Sequence, residues 1–226
     1  GHTRYSTTGS SYIANAQPLH IESEGTDFFI AHNGNITNAK PLRKELEEQG
    51  ITFHSSTDTE VIGQLISTSQ GENFVQKIQA AMRRLQGAYS LVLLTRDSVY
   101  ALRDPLAIRP LCYGKVEDGW AVASESCALD HVSATLEGEL EPGEIIVLNE
   151  RGIEKHPWET QTESALCIFE YIYFARPDSI MGDRLVYPTR QQMGAQLARE
   201  HPVDADLVTY VPDSAMVAGN GYALES

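Results

Sequence analysis

The chain has 226 residues, a hydrophobic content of 42% and a formal net charge of −14 at pH 7. This charge argues against a nucleic-acid partner, because a phosphate backbone repels an acidic protein that has no basic stripe. The sequence contains no apolar run of about 18 residues, so it predicts no membrane partner.

In chain order, the first part of the sequence alternates between strand and helix patterns. A buried strand is predicted over residues 27–31 and a helix over residues 38–49. A second helix is predicted to begin at a cap formed by Thr57 or Asp58, and a third covers residues 72–85. Further strands are predicted over residues 88–95, 98–102, 111–114, 120–124 and 144–148. Because short turns join these strands, we expect antiparallel pairing with helices on the sheet faces.

A change of pattern after residue 157 indicates a second domain. Residues 158–164 are polar and predict a linker between a first domain over residues 1–157 and a second that begins at residue 165. The second part predicts a strand, a helix and another buried strand, followed by a further helical stretch. These three elements cover residues 167–175, 188–200 and 206–211. This order is typical of the beginning of an α/β domain.

Three segments of the first domain carry polar side chains suited to an α-amino acid. In GHTRYST, residues 1–7, Arg4 offers a planar guanidinium that fits a carboxylate, or is simply a surface charge. In HNGNI, residues 32–36, an amide beside a glycine N–H is either the donor pair of an oxyanion hole or a tight Asn-Gly turn. In SSTDTE, residues 55–60, the carboxylate either binds a ligand ammonium or belongs to a helix cap.

Together these segments resemble the class II glutamine amidotransferases, which are N-terminal nucleophile hydrolases. The resemblance implies an α+β fold with a four-layer αββα glutaminase domain. It implies that Arg4 binds the α-carboxylate of glutamine, that Asp58 binds its α-ammonium and that Thr7 lines the same pocket. It also implies an oxyanion hole formed by the Asn33 side chain and the Gly34 N–H.

The second half narrows the resemblance. RDPLAIRP at residues 103–110, SESCAL at 124–129 and CIFEYIYFARPDS at 167–179 are similar to segments of the glutamine phosphoribosylpyrophosphate amidotransferases. These glycosyltransferases of purine synthesis form 5-phosphoribosylamine, glutamate and pyrophosphate from glutamine, water and phosphoribosyl pyrophosphate. The resemblance implies those two substrates, an incomplete glutaminase domain followed by the start of an α/β phosphoribosyltransferase domain, and a cytoplasmic homo-oligomer at full length.

Two parts of the family site are expected outside this sequence. The family nucleophile is an N-terminal Cys, whereas the sequence begins at Gly1, so we expect this chain alone to hydrolyse no glutamine. A loop with paired acids that binds ribose phosphate is expected after residue 226. The loop VPDS, residues 211–214, is similar to part of the phosphoribosyl site, and the resemblance implies that Ser214 contacts magnesium and pyrophosphate.

The three cysteines form no C-x-x-C pair, which favours free thiols over a disulfide framework. Cys112 and Cys127 are predicted to be buried in the core. The Cys that matches Cys167 ligates a [4Fe–4S] cluster in one subgroup of the family, and the alternative is a half-buried strand cysteine. The resemblance thus implies Mg²⁺ and a cluster in the full-length protein. No cluster is expected in this chain alone, because such clusters need four Cys ligands.

Two alternatives stay open. A degenerate domain that binds glutamine or a protein partner without chemistry would also lack a nucleophile. Another class II amidotransferase, such as glucosamine-6-phosphate synthase, would share the first domain, although CIFEYIYFARPDS disfavours it.

Overall fold

The structure is a computed structural model that describes residues 1–3, 11–22, 27–158 and 163–226. The chain divides into two compact units. The first comprises Gly1–Leu111 and Leu140–Ala165, and the second comprises Cys112–Glu139 and Leu166–Ser226. The predicted linker over residues 158–164 falls largely outside the described residues, and the predicted domain boundaries stay a prediction.

The described residues form eleven strands and six α-helices. The strands are β1 (Leu19–Ile21), β2 (Phe28–Ile36), β3 (Gly87–Leu94), β4 (Val99–Arg103), β5 (Cys112–Val116), β6 (Gly119–Ala123), β7 (Thr135–Glu139), β8 (Ile145–Asn149), β9 (Gly152–His156), β10 (Ile180–Met181) and β11 (Arg184–Leu185). The α-helices are α1 (Ala39–Glu48), α2 (Asp58–Thr68), α3 (Phe74–Met82), α4 (Ser126–His131), α5 (Val186–Glu200) and α6 (Met216–Glu225). Among these helices, none has both the length and the apolar character that a membrane crossing requires.

The first unit is built on a sheet of six strands in the order β1-β2-β3-β4-β8-β9. Every neighbouring pair is antiparallel, as the short connections predict. Phe28 and Ile30 of β2 are fully buried, whereas Phe29 between them is 44% exposed. This alternation is expected of a sheet that has one face on the core.

Helices α1, α2 and α3 share one hydrophobic core with this sheet. Helix α2 packs against β1 and β2 and contacts both α1 and α3. It begins at Thr57, whose side-chain oxygen accepts the N–H of Glu60 at 3.3 Å, so Thr57 is the cap. The buried Glu60 carboxylate in turn accepts the N–H groups of His54 and Ser55, at 2.8 and 2.6 Å.

The second unit contains a smaller sheet in the order β6-β5-β7 and the helices α4, α5 and α6. Cys112 and Cys127 are buried here, as predicted. Helices α5 and α6 touch through their backbones, because a Cβ at Gly194 would lie 1.9 Å from the Ala218 carbonyl oxygen. A Cβ at Gly221 would likewise lie 2.0 Å from the carbonyl oxygen of Gln191 in α5.

Two of the recognised segments hold each other within the second unit. The Glu125 carboxylate accepts the N–H of Arg176 and the hydroxyl of Ser179, both at 2.7 Å. The Ser126 hydroxyl accepts the N–H of Ile180 at 2.8 Å. SESCAL is therefore hydrogen-bonded to the RPDS end of CIFEYIYFARPDS and to the residue that follows it.

The strand predicted over residues 167–175 is wrong, because the segment forms a π-helix at Glu170–Phe174. The buried guanidinium of Arg190 donates to the Ala175 carbonyl at 2.7 Å. That carbonyl is thus taken by a side chain rather than by a neighbouring strand. The aromatic side chains that suggested a buried strand are largely exposed, and Tyr173 is 62% exposed.

The buried strand predicted over residues 206–211 is also wrong. The segment has no regular secondary structure, and Leu207 and Val211 are 79% and 78% exposed. A strand needs a neighbour for its N–H and C=O groups, and none of the strands in the described residues pairs with this segment.

Adjacent leucines of β3 provide a test of the core. Leu93 is fully buried, whereas Leu94 is 49% exposed. We expect Leu93→Ala to lower the free energy of unfolding by about 2–5 kcal/mol, because it removes buried methyl groups and leaves a cavity. Leu94→Ala is the matched control and should cost about 1 kcal/mol or less. Urea unfolding followed by fluorescence measures both, and equal losses would contradict the assigned burial.

Candidate functional site

Strand β2 extends beyond β1, which leaves part of one edge of β2 without a strand neighbour in the described residues. β1 pairs only with the first three residues of β2, whereas β3 pairs with the opposite edge as far as Ile36. Side chains bind the open edge: the His32 N–H donates to Gln17 Oε1 at 2.6 Å, and the Ile36 N–H donates to Asp58 Oδ2 at 3.1 Å. Because alternate N–H groups of a strand share a direction, the Gly34 N–H points to the same edge.

Gly34 occupies a position that only glycine fits. Its φ is +150°, and a Cβ would lie 2.1 Å from the carbonyl oxygen of Ala88. The segment HNGNI lies inside β2, which continues to Ile36, so the alternative of a tight Asn-Gly turn is wrong. The glycine instead allows β2 and β3 to approach closely, on the side of β2 opposite the open edge.

The half-buried Asn33 carries a side-chain amide whose oxygen is already bound. Arg109 Nη2 donates to Asn33 Oδ1 at 2.9 Å. The donor end of the amide, Nδ2, is the end that can serve a ligand. With the Gly34 N–H on the open edge, β2 offers two neighbouring N–H donors, which is the arrangement that an oxyanion hole requires.

Asp58 is the first residue of α2 and is 5% exposed. Besides accepting the Ile36 N–H, its Oδ1 lies 3.7 Å from Nδ1 of the buried His32. The carboxylate is therefore placed beside the segment that carries Asn33 and Gly34. A carboxylate has about four acceptor positions, so the bond to Ile36 leaves capacity for a ligand ammonium.

The surroundings of Asp58 favour its ionised form. Burial is the largest influence and by itself raises the pKa of the Asp58 carboxyl. The hydrogen bond and charge of His32 and the backbone N–H groups of Ile36 and Asp58 lower the pKa. Together they outweigh the effect of burial. The result is a pKa below the ordinary value of 3.8.

Two residues that the sequence analysis missed support this region. Gln17 binds β2 through its oxygen and donates through Nε2 to Thr59 Oγ1 at 3.0 Å. The buried Asn15 accepts the Ser56 N–H at 3.0 Å and donates to the Ser56 hydroxyl at 2.9 Å. Isolated amides in a polar stretch carry no periodic signal, so the sequence could not have singled them out.

The other predicted site residues lie either outside the described residues or in the second unit. Arg4 and Thr7 lie outside the described residues. Cys167 is a free, partly buried cysteine of the second unit, and Ser214 lies in the turn before α6. Within the part of the chain that the structure describes, no group of three or more His, Cys, Asp or Glu side chains is arranged to hold a metal ion.

Comparison with known proteins shows the family to which this chain belongs. Residues 2–131, more than half of the chain, match the model of the glutamine amidotransferase domain. The chain belongs to the glutamine amidotransferase family. The recognition made from GHTRYST, HNGNI and SSTDTE is thereby confirmed.

Relatives within the glutamine amidotransferases resemble the whole chain. The amidophosphoribosyltransferase of Archaeoglobus fulgidus is 44% identical over 228 residues, which cover 100% of this chain and 50% of that protein. The amidophosphoribosyltransferase of Staphylococcus aureus is 44% identical over 226 residues and is covered to 46%. The chain therefore spans about half the length of these curated relatives.

Solved structures confirm the α+β fold. The glutamine phosphoribosylpyrophosphate amidotransferase of B. subtilis, complexed with ADP and GMP, aligns with a TM-score of 0.93 and 40% identity. That alignment covers 99% of this chain and 49% of the solved chain. The structure of an allosteric regulatory enzyme of purine biosynthesis aligns with a TM-score of 0.94 and 40% identity. The predicted class, with the glutaminase-type arrangement of sheets and helices, is thus confirmed.

The lowered pKa of Asp58 predicts a pH-dependent stability. We expect Asp58→Asn to reduce the free energy of unfolding by about 1–3 kcal/mol at neutral pH, because a buried charged acceptor is lost. The stabilisation by the carboxylate is complete above the ordinary pKa of 3.8 and disappears as the pH falls through the lower pKa of the folded state. Urea unfolding of both proteins between pH 7 and acid measures the difference.

Asp97→Asn is the control for this experiment, because Asp97 is exposed in the turn between β3 and β4. It should leave the free energy of unfolding nearly unchanged at every pH. A loss for Asp58→Asn that is as large in acid as at neutral pH would contradict the assigned charge.

Proposed function

We propose that the full-length protein that contains this chain is an amidophosphoribosyltransferase. It releases ammonia from glutamine and transfers it to phosphoribosyl pyrophosphate, which yields 5-phosphoribosylamine, glutamate and pyrophosphate. One observation carries the proposal: the 44% identity to amidophosphoribosyltransferases extends over 100% of this chain, including the residues beyond the glutaminase part. This extent favours the proposal over a glucosamine-6-phosphate synthase.

The chemistry proposed for the first unit is attack on the side-chain carbonyl of glutamine. Such an attack converts the carbonyl oxygen to an oxyanion, which N–H donors fixed in advance stabilise. Asn33 Nδ2 and the Gly34 N–H are the donors in this proposal. Asp58 holds the α-ammonium of glutamine, and its lowered pKa keeps it charged for that contact. Arg4 and Thr7 are proposed to complete the glutamine pocket, with Arg4 on the α-carboxylate.

The cofactors and the assembly are likewise proposals for the full-length protein. Ser214 is proposed to contribute to a site for Mg²⁺ and pyrophosphate, and Cys167 to ligate a [4Fe–4S] cluster. Each residue supplies one donor, and the described residues contain no group of three or more His, Cys, Asp or Glu side chains that could hold a metal ion. The remaining ligands would come from the rest of the full-length protein. We propose that this protein works as a homo-oligomer in the cytoplasm.

Replacement of Asn33 tests the glutaminase proposal. Asn33→Ala in the full-length protein should lower kcat with glutamine by roughly a hundredfold or more, with little change in KM, because the contact strengthens in the transition state. The measurement is the rate of 5-phosphoribosylamine formation with glutamine and, on the same preparation, with ammonia.

The rate with ammonia is the internal control, because ammonia bypasses the glutaminase site. A selective loss of the glutamine-driven rate supports the proposal. If both rates fall together, or neither falls, Asn33 is not an oxyanion donor. If the wild-type protein forms no product from either nitrogen source, the proposed function itself is wrong. The alternative of a non-catalytic binding module is then favoured.

A further inference from the structure

A row of three polar residues crosses the sheet of the first unit and converges on one arginine. The strand register places Asn33 of β2 opposite Ser90 of β3, and Ser90 opposite Arg103 of β4. Directly opposite residues of neighbouring strands present their side chains on the same face of the sheet. All three side chains in this row contact Arg109.

The contacts fix Arg109 at both its backbone and its side chain. The Ser90 hydroxyl and Arg103 Nε donate to the Arg109 carbonyl oxygen, at 3.2 and 2.6 Å. The Arg109 side chain then donates through Nη2 to Asn33 Oδ1 at 2.9 Å. Asn33 is thus at one end of the row, and the other two members hold the backbone from which the guanidinium extends.

The loop that carries Arg109 is itself rigidly organised. The Asp104 carboxylate is fully buried and accepts the N–H groups of Leu106 and Ile108, at 3.0 Å each. It also accepts the N–H of Tyr89 on β3 at 3.3 Å. The Arg103 guanidinium also donates to the carbonyl oxygen of Ala107 within the loop and to that of Leu140, which follows β7. The loop after β4 is therefore bound to the sheet along its length.

The chemistry of the guanidinium decides which way the Asn33 amide faces. Arginine has five N–H donors and no acceptor, so only the oxygen end of an amide can face it. The oxygen and nitrogen ends of an amide have nearly the same shape, so hydrogen bonding decides which of the two orientations it takes. The bond to Arg109 selects one orientation, and it keeps Nδ2 available on the other side.

We infer that Arg109 is a positioning residue of the oxyanion hole, an inference that rests on the proposed glutaminase activity. Arg109 binds Asn33 Oδ1 and thereby directs the Nδ2 donor toward the carbonyl oxygen of glutamine. The positive charge also polarises the amide, which strengthens Nδ2–H as a donor to a developing oxyanion. Arg109 touches no reacting atom in this scheme and acts entirely through Asn33.

A double-mutant cycle in the full-length protein tests the inference. Arg109→Met should lower glutamine-driven kcat roughly tenfold, part of the loss expected on removing an oxyanion donor, with KM changed by less than about twofold. The ammonia-driven rate should not change. In an Asn33→Ala background, Arg109→Met should cause no further loss, because the residue through which it acts is gone. Arg96→Met, on the exposed turn between β3 and β4, is the matched control and should leave both rates unchanged.

The outcomes separate this inference from the proposed function. Retention of glutamine-driven kcat by Arg109→Met overturns the inference alone, provided that Asn33→Ala is impaired. A further loss in the Asn33→Ala background, or an equal fall in the ammonia-driven rate, also overturns it. Should Arg109→Met not fold, Arg109→Lys is assayed in the same way, because it keeps the charge and loses the planar fork. Arg109→Lys should show the same selective pattern with a smaller loss, and wild-type kcat in this variant overturns the inference.

Discussion

The candidate site depends on the unequal lengths of β1 and β2. Backbone N–H groups removed from water need partners, and β1 supplies them only to the first three residues of β2. Side chains therefore complete the edge: Gln17 binds the N–H of His32, and Asp58 binds that of Ile36. Between these two contacts lies Gly34, whose N–H shares their direction. Because β1 is shorter than β2, polar side chains are needed at this edge, and the Gly34 N–H is left as a donor between them.

Buried guanidinium groups organise both units. In the first unit Arg103 donates to the carbonyl oxygens of Arg109, Leu140 and Ala107, at 2.6, 2.8 and 3.0 Å. In the second, Arg190 donates to carbonyl groups of the π-helical segment and of Ala175. The carbonyl groups that each arginine binds lie outside the strands and α-helices. A lysine could not replace either, because it lacks the planar fork that reaches several carbonyls at once.

Much of the fold could be predicted because its signals are local. The helical spacing over residues 38–49 and the apolar run over 88–95 are periodic, and both elements formed close to the predicted bounds. The donor pair in HNGNI could be named from a motif, but not its placement on an open strand edge. The contact between Asn33 and Arg109 joins residues 76 positions apart, so it depends on strand register. An apolar pattern also cannot tell whether a partner strand exists, which is why residues 206–211 were misassigned.

The crossing of α5 and α6 has a mechanical consequence. Main chain meets main chain at Gly194 and Gly221, so no side chain lies there whose rotation could absorb a shift. We therefore expect α5 and α6 to move together as one rigid body. Ser214 lies two residues before the first residue of α6, so we expect a displacement that begins there to move the fifteen residues of α5 together with α6.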